Sequence, residues 1–571
     1  MTIPVSSFQF TVADALYKNA VIRAADIAVE DAQRRFTYAE LNRRVNQLAH
    51  ALAARGIERG MRVAILSENS IAYLELELAA AKLGAIVPCL NWRLSDSELQ
   101  HCIRLTSPAL IFVSARFAAQ LGRIDHGVPQ VVAIEAEYEA LLASAPATEP
   151  QATPEPEDGL AILYTSGTTG LPKGALISQR AMVARAQAFA GEYGITSAHN
   201  YIAWSPLFHM AATDFALATL MIGGKVIVQD GLDVDRLCAT LEREQIGWLV
   251  AMPGMIDVFI DGLRRNATKA RGVRMVGAMA DLVPLQQLAE LTGLLNAPYL
   301  NSFGATETGL APASGALLAP GEVPRSLAKR ESGFCRIRLV DADDREVPVG
   351  VPGELALRGP TLFSGYWNAP EVNAHDFRGG WFHMGDLFVR HPDGTLDFVD
   401  RAKYLIKSGG ENIYPAEIER VLLAHEAVAD AVAVRHRDVR WGEVPIALVA
   451  LKPGAALDAQ ALLQWCRSQL ASYKLPKEIR FVALEDFPRS STGKIQRHEI
   501  EKRLGACRTL GVESENAPQR GQFLPDSQPH SGAMGQEDGV LEERRSQKWA
   551  AAAHSQPTIP KSDRLLGRPE G

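Results

Sequence analysis

A chain of 571 residues is too long for one ordinary core, and 47% hydrophobic with 22% charged residues is the composition of a folded protein with two or more domains. Its net charge of -7 argues against a nucleic-acid polyanion as the main partner, so an anionic ligand must be met by a local cluster of cations. The six cysteines, Cys89, Cys102, Cys238, Cys335, Cys466 and Cys507, form no CxxC pair, which fits core thiols in a reducing compartment and disfavours a zinc site. Residues 1–10 lack the basic start and apolar segment of a signal peptide, and no apolar run reaches transmembrane length. A soluble, cytoplasmic protein is expected.

In chain order, Thr37 and Glu40 have capping-box spacing, and Leu41, Val45, Leu48 and Leu52 recur at helical intervals until Gly56. A strand over 62–66, an apolar helix over 71–83 and a short strand over 85–88 follow, the alternation of an α/β domain. Residues 143–158, rich in Pro, Ala, Thr and Glu, read as an exposed connection. It leads into Tyr164-Thr165-Ser166-Gly167-Thr168-Thr169-Gly170-Leu171-Pro172-Lys173-Gly174, where glycines, hydroxyls and one lysine lie between two apolar runs. Glycine lets the backbone approach a ligand closely, and hydroxyl and N–H donors beside a mobile cation suit phosphate. No Gly-Lys-Ser/Thr step opens a helix here, so the reading is strand, glycine-rich hairpin, strand rather than Walker A; composition alone fits a flexible surface loop equally well.

Ser178 is placed to cap the next helix, which leads to Trp204-Ser205-Pro206-Leu207-Phe208-His209-Met210. A lone histidine in such company is more often a packed core residue than a functional one. Runs at 225–229, 248–252 and 274–276 continue the strand pattern, and the first domain extends to about residue 400. The charged, glycine-containing segment 400–415 suits a joint between domains. Beyond it, helices at 416–423 and 458–470 and strands at 428–434 and 446–451 make a small α+β unit. After about Gly505 the periodicity ends and Gly, Pro, Ser, Gln, Glu and Arg dominate, as in a disordered tail; an aberrant reading frame or a fusion scar would have the same composition.

Together the hairpin, Gly304-Ala305-Thr306-Glu307, Gly380-Trp381-Phe382-His383-Met384-Gly385-Asp386, Asp400-Arg401, Ser408-Gly409-Gly410-Glu411-Asn412-Ile413-Tyr414-Pro415 and Gly493-Lys494 resemble the motifs, in order, of the adenylate-forming superfamily of acyl-CoA synthetases, adenylation domains and firefly-type luciferases. The resemblance spans roughly residues 10–504. It implies an α/β fold with a large multi-subdomain N-terminal adenylation domain (1–401), a small mobile α+β C-terminal domain (402–504, hinge near Lys403) and a tail over 505–571. By the same resemblance Thr165, Ser166, Gly167, Thr168, Thr169, Gly170 and Lys173 hold the β- and γ-phosphates of ATP, Thr306 contacts phosphate, and Glu307 helps hold Mg²⁺. Asp386 takes the ribose hydroxyls, Arg401 makes a second ribose or phosphate contact, and Phe303 beside Gly304 stands where the family usually has a tyrosine facing adenine. Lys494 orients the carboxylate and α-phosphate, and His209 is a gate or pocket residue near the acyl carboxylate. Ser408, Gly409, Gly410 and Trp441 line the route of CoA.

The implied reaction is adenylation of a carboxylic acid by ATP with release of pyrophosphate, then attack of the CoA thiolate to give the thioester and AMP. Both reactants of the first step are anionic and charge builds on phosphate oxygens, so cations and N–H donors must converge there. Met384 replaces the family's usual threonine, and Gly277-Ala278-Met279-Ala280 departs from its Gly-Gly-Ala segment. The family's amino-acid activators carry an aspartate near the position of His209, and His209-Met210 supplies none, which favours a plain acid. Loading of a carrier protein and a catalytically silent AMP-binding protein are the alternatives; the acid and a homodimer are left open. No Gly-x-Ser-x-Gly elbow and no Gly-x-Gly-x-x-Gly fingerprint is present.

Overall fold

Hydroxyl and carboxylate caps decide where the helices begin. Thr37 Oγ1 accepts the N–H of Glu40 while Glu40 Oε2 accepts that of Thr37 (3.2 and 2.8 Å), and the helix runs Tyr38–Ala54, as the capping box predicts. Thr11 with Asp14 and Ser95 with Glu98 build the same device at Val12–Ile22 and Asp96–Thr106. The computed structural model describes residues 9–506 apart from 166–170, 253–254, 282, 409–410 and 490–494. Among the described residues no helix is long and apolar enough to cross a membrane.

A six-stranded sheet runs in the order Gln130–Ala133, Leu110–Val113, Val63–Leu66, Val87–Cys89, Gly159–Thr165, Lys173–Ser178; the first five strands are parallel and the last is antiparallel to its neighbour. The glycine-rich hairpin therefore forms one edge of a sheet. Every residue of the helix Ile71–Leu83 is buried, including two carboxylates, two residues apart on different faces, of contrasting fate. Glu75 pairs with Arg44 and accepts a hydrogen bond from Tyr138. Among the described residues Glu77 accepts instead from the Thr213 hydroxyl (3.3 Å) and the Cys89 thiol (3.7 Å), and burial pushes its carboxyl up to about 8, so it is protonated at neutral pH.

A second sheet orders Arg35–Thr37, Ile27–Glu30, Val226–Val228 and Tyr201–Ala203; a third orders Gln245–Leu249, Gly272–Val276, Tyr299–Leu300 and Leu317–Leu318. An antiparallel sheet of Arg336–Val340, Gly353–Arg358, Phe382–Arg390 and Leu396–Arg401 closes this part of the chain. One apolar cluster reaches from Val12 to Leu396.

A separate cluster begins at Ile406 and ends at Leu470. Its sheet pairs Val428–Asp438 with Gly442–Leu451, flanked by Ile406–Ser408, Glu411–Ile413 and Glu478–Phe481. Alternation divides the long strands between two faces: Ala431, Ala433, Ala447 and Val449 join this cluster, whereas Val432, Val434 and Ala450 pack with Phe487 and Ile500. Both strands run further than the apolar pattern predicts. Several of the added residues, such as Arg437 opposite Glu443, are polar and pair through the backbone without an apolar signal. Of the cysteines, Cys89, Cys102, Cys238 and Cys466 are buried thiols, Cys335 is half-buried, and Cys507 lies outside the described residues.

Candidate active site

The hairpin strands place Thr165 opposite Lys173, both half-buried at the sheet edge. Its tip, with Ser166, Gly167, Thr168, Thr169 and Gly170, lies outside the described residues, as do Gly409, Gly410 and Lys494. A Cβ on Gly174 would come within 2.7 Å of Ile162 Cγ2, so close packing against the neighbouring strand requires glycine there. The segment 364–367 runs along the free side of this strand: Ser364 N donates to Leu176 O (2.8 Å), Leu176 N to Gly365 O (3.0 Å) and Trp367 N to Gly174 O (2.7 Å). Those bonds set the Tyr366 ring 4.9 Å from Lys173 Nζ, a cation–π contact.

Glu307 approaches the same tyrosine from a tight turn. Gly304–Ala305 pairs with Gly309–Pro312, and a Cβ on Gly304 would lie 1.9 Å from Gly309 O. Thr308 is buried and its Oγ1 accepts from Ala305 N (3.0 Å), leaving Thr306 and Glu307 half-exposed. The Glu307 carbonyl accepts from Phe363 N (2.8 Å), and its Oε1 accepts from the Tyr366 hydroxyl (2.7 Å). Burial, reinforced by this carboxylate, holds the phenol protonated far above the ordinary tyrosine range.

Asp386 and Arg401 face each other across antiparallel strands, Arg401 Nε 3.0 Å from Asp386 Oδ1. The carboxylate is 3% exposed and the guanidinium 45%, so the buried anion is fixed and the cation reaches outward. Asp386 first, and Glu307 further off, raise the pKa of Arg401. Lys173, Tyr366, Glu307, Arg401 and Asp386 thus form one row of alternating groups drawn from four parts of the chain. Tyr366 is the member that sequence reasoning missed; the signal was a Gly-Tyr-Trp step whose Gly365 has φ of 110°.

The remaining predicted residues stand on other elements. Phe303 is 6% exposed, its ring edge-on to Phe388 (4.7 Å) and tilted against Phe398 (5.4 Å). His209 caps the helix Met210–Ile222, its Nδ1 accepting from Ala211 N at 3.3 Å. The loop before it is held by Asn69, whose Nδ2 donates to Ala203 O, Ser205 O and Gln229 O and whose Oδ1 accepts from Leu207 N. Gly277, at φ 115°, has the Tyr299 ring 2.4 Å from where a Cβ would be. Nearby, the wholly buried Lys329 reaches Asp281 Oδ2 (2.5 Å) and Asn301 Oδ1 (3.0 Å), and Asn301 Oδ1 also takes Ala280 N (3.0 Å), locking the strand ends before Gly304.

Ser408 pairs with Gly442, which brings it beside Trp441. Asp438 Oδ1 accepts from both Arg440 N and Trp441 N (2.8 Å each) and shapes the turn; Arg440 lies 4.7 Å from the indole, which is 39% exposed. Between this unit and the row lies Asp400, whose Oδ1 accepts from Arg401 N and whose Oδ2 accepts from Ala416 N (2.7 Å each) in the first turn of the helix Pro415–Leu423. The turn Ala402–Tyr404 follows, with Lys403 Nζ 4.8 Å from the Tyr404 ring. Among the described residues no three His, Cys, Asp or Glu side chains converge on a metal position. A single half-exposed carboxylate such as Glu307 suits a cation that takes its other oxygens from phosphate and water, the habit of Mg²⁺.

Residues 16–367 match the family described as AMP-binding enzyme, and residues 417–494 match the AMP-binding enzyme C-terminal domain. The chain is 34% identical over 499 residues to the indoleacetate–CoA ligase of Aromatoleum aromaticum, covering 85% of this chain and 96% of that one. It is 34% identical to a feruloyl-CoA synthase of Amycolatopsis (84% and 96% covered) and 32% identical to a fatty acid–[acyl-carrier-protein] ligase of Streptomyces coeruleorubidus (82% and 92%). Its fold is similar to that of the o-succinylbenzoate-CoA synthetase of Bacillus subtilis in complex with its acyl-adenylate intermediate (TM-score 0.75, 26% identity, covering 85% and 97%). The same enzyme with ATP and magnesium ion superposes with a TM-score of 0.74 at 26% identity, covering 85% and 98%.

Proposed function

The chain belongs to the AMP-binding enzyme family, and from that premise we propose that it is an ATP-dependent acid–CoA ligase, which activates a carboxylic acid as its acyl-adenylate and transfers the acyl group to CoA. The observation that carries this reading is the row Lys173, Tyr366, Glu307, Arg401 and Asp386. Its two outward cations suit a polyphosphate, and its buried carboxylate suits a pair of ribose hydroxyls.

In this reading Lys173, with the hairpin tip, neutralises the departing pyrophosphate, and Arg401 stands beside the α-phosphate and ribose. Glu307 holds Mg²⁺, which spreads the charge of the phosphate oxygens when bound. Asp386 fixes the ribose and thereby the direction from which the acid attacks. Nothing in this step requires a protein nucleophile; alignment and charge neutralisation supply the rate. Lys494 completes the site when the unit 402–504 closes, and the same unit, turned about Lys403, presents Ser408, Gly409, Gly410 and Trp441 to CoA. ATP and CoA as co-substrates go with a cytoplasmic location.

The acid is sought first among aryl and arylalkyl carboxylic acids, because the relatives at 34% identity are named for indoleacetate and ferulate. A carrier-loading enzyme is the second reading, favoured by the relative named for an acyl-carrier protein. A panel of aromatic, fatty and short acids with ATP and Mg²⁺, followed by pyrophosphate exchange and by thioester formation with CoA or a phosphopantetheinylated carrier, decides between them. Exchange and CoA thioester on one acid support the ligase. Exchange without CoA thioester shifts the function to carrier loading, and no exchange on any acid refutes both.

A further inference from the structure

We propose that Arg185 is a positioning residue of the adenylation site: its guanidinium sets the Thr306–Glu307 turn and the strand carrying Tyr366, although it touches neither substrate. The inference rests on the adenylation reading above. Arg185 lies in the helix Gln179–Tyr193, which starts directly after the phosphate hairpin, and its side chain is 3% exposed. All three of its nitrogens are committed to different segments. Nε donates to Thr361 O (3.0 Å), Nη1 to Asp214 Oδ2 (2.9 Å) and Nη2 to Thr306 O (3.0 Å).

Those partners cover the site. Thr306 is the residue before Glu307; Thr361 begins the stretch whose Phe363 N bonds the Glu307 carbonyl and whose Tyr366 hydroxyl bonds its carboxylate. Asp214 stands in the first turns of the helix that His209 caps. Gly309 keeps the path open, since at φ +71° a Cβ there would lie 2.9 Å from Arg185 Cδ. One rigid fork therefore joins the hairpin helix, the His209 helix, the Glu307 turn and the Tyr366 strand, and a lysine, whose donors all radiate from one nitrogen, could not span the three acceptors that the planar fork reaches with three.

As a stability device the arrangement is a poor choice. Both ions are buried, and Asp214 Oδ1 and Thr361 Oγ1 are left without a hydrogen-bond partner among the described residues. An apolar pair of similar volume would join the two helices as well or better. What an apolar pair lacks is the two N–H donors directed at the carbonyls of Thr306 and Thr361.

The test compares the wild type with Arg185→Lys and with the double variant Arg185→Met/Asp214→Leu, by thermal melting, calorimetric binding of Mg·ATP, pyrophosphate exchange, and thioester formation from supplied acyl-adenylate. The double variant is expected to melt near the wild type, yet to need about 10-fold more Mg·ATP and Mg²⁺ for half-maximal exchange and to lose about 30-fold in exchange rate, with thioester formation from the adenylate within about twofold of wild type. Arg185→Lys should show the same split at about 5-fold, and decides the matter if the double variant does not fold. Unchanged Mg·ATP dependence in the folded variants, or equal loss in both half-reactions, overturns the proposal. A wild type that binds Mg·ATP more tightly than the variants but exchanges pyrophosphate with no acid refutes the adenylation reading and leaves the role of Arg185 standing.

Discussion

At the phosphate end of the site each charged group already meets a partner: Lys173 on the Tyr366 ring, Glu307 on its hydroxyl, Arg401 against a buried Asp386. At the end proposed for CoA, Trp441 projects from a turn beside a wholly exposed Val439, and its fixed bonds are those that shape the turn itself. The difference separates two ways of making a site. In the first the charged side chains are held by partners within the fold, so ordering them for a ligand costs little; in the second the backbone turn is fixed while the indole that it carries stays half-exposed. Asp400 stands between them as one carboxylate shared by the Arg401 strand and the first helix of the small unit.

Substitutions can break this contrast or sharpen it. The largest effect is expected from Asp386→Asn, which removes the buried anion beside Arg401 and should lower kcat/KM for ATP about 1000-fold, roughly 4 kcal/mol, in pyrophosphate exchange; a loss below tenfold would remove the phosphate end from the chemistry. Glu307→Gln follows, with exchange falling about 100-fold and more Mg²⁺ needed for half-maximal rate. Trp441→Ala should raise the KM for CoA about 10-fold and leave exchange within about twofold; if exchange falls in step with thioester formation, the two ends are not independent.

A different kind of effect belongs to the buried interior and is read in stability. Glu77 titrates near 8 when folded and at the model-compound 4.5 when unfolded, so its contribution is fully present below 4.5 and is lost as pH rises through 8. Glu77→Gln should therefore gain on the wild type by on the order of 4 kcal/mol between pH 5 and pH 9 in denaturant melts, and parallel pH profiles would show that the carboxyl is not held protonated.

Much of this was legible in the sequence because local rules governed it. The hairpin, the Thr37 cap and the helix over 71–83 each follow from composition or period within a dozen residues, and all three stand where the pattern places them. The antiparallel sheet from Arg336 to Arg401 was harder to read, since the strand Phe382–Arg390 contains a glycine at φ 71° and breaks register with both neighbours. Arg185 was invisible for another reason. An arginine in a helix reads as solvated, and its three partners lie 29, 121 and 176 residues away, so only the folded chain assembles them.

Tyr366 deserves a last physical consequence. Its ring takes the Lys173 ammonium and its hydroxyl takes the Glu307 carboxylate, so one neutral side chain is an insulator between a cation and an anion. Removed, it would let the two close on each other, and an ion pair neutralised in advance has little field left for a triphosphate or its metal. The phenol keeps the two charges from neutralising each other, one to each side, until a ligand that bears both demands arrives.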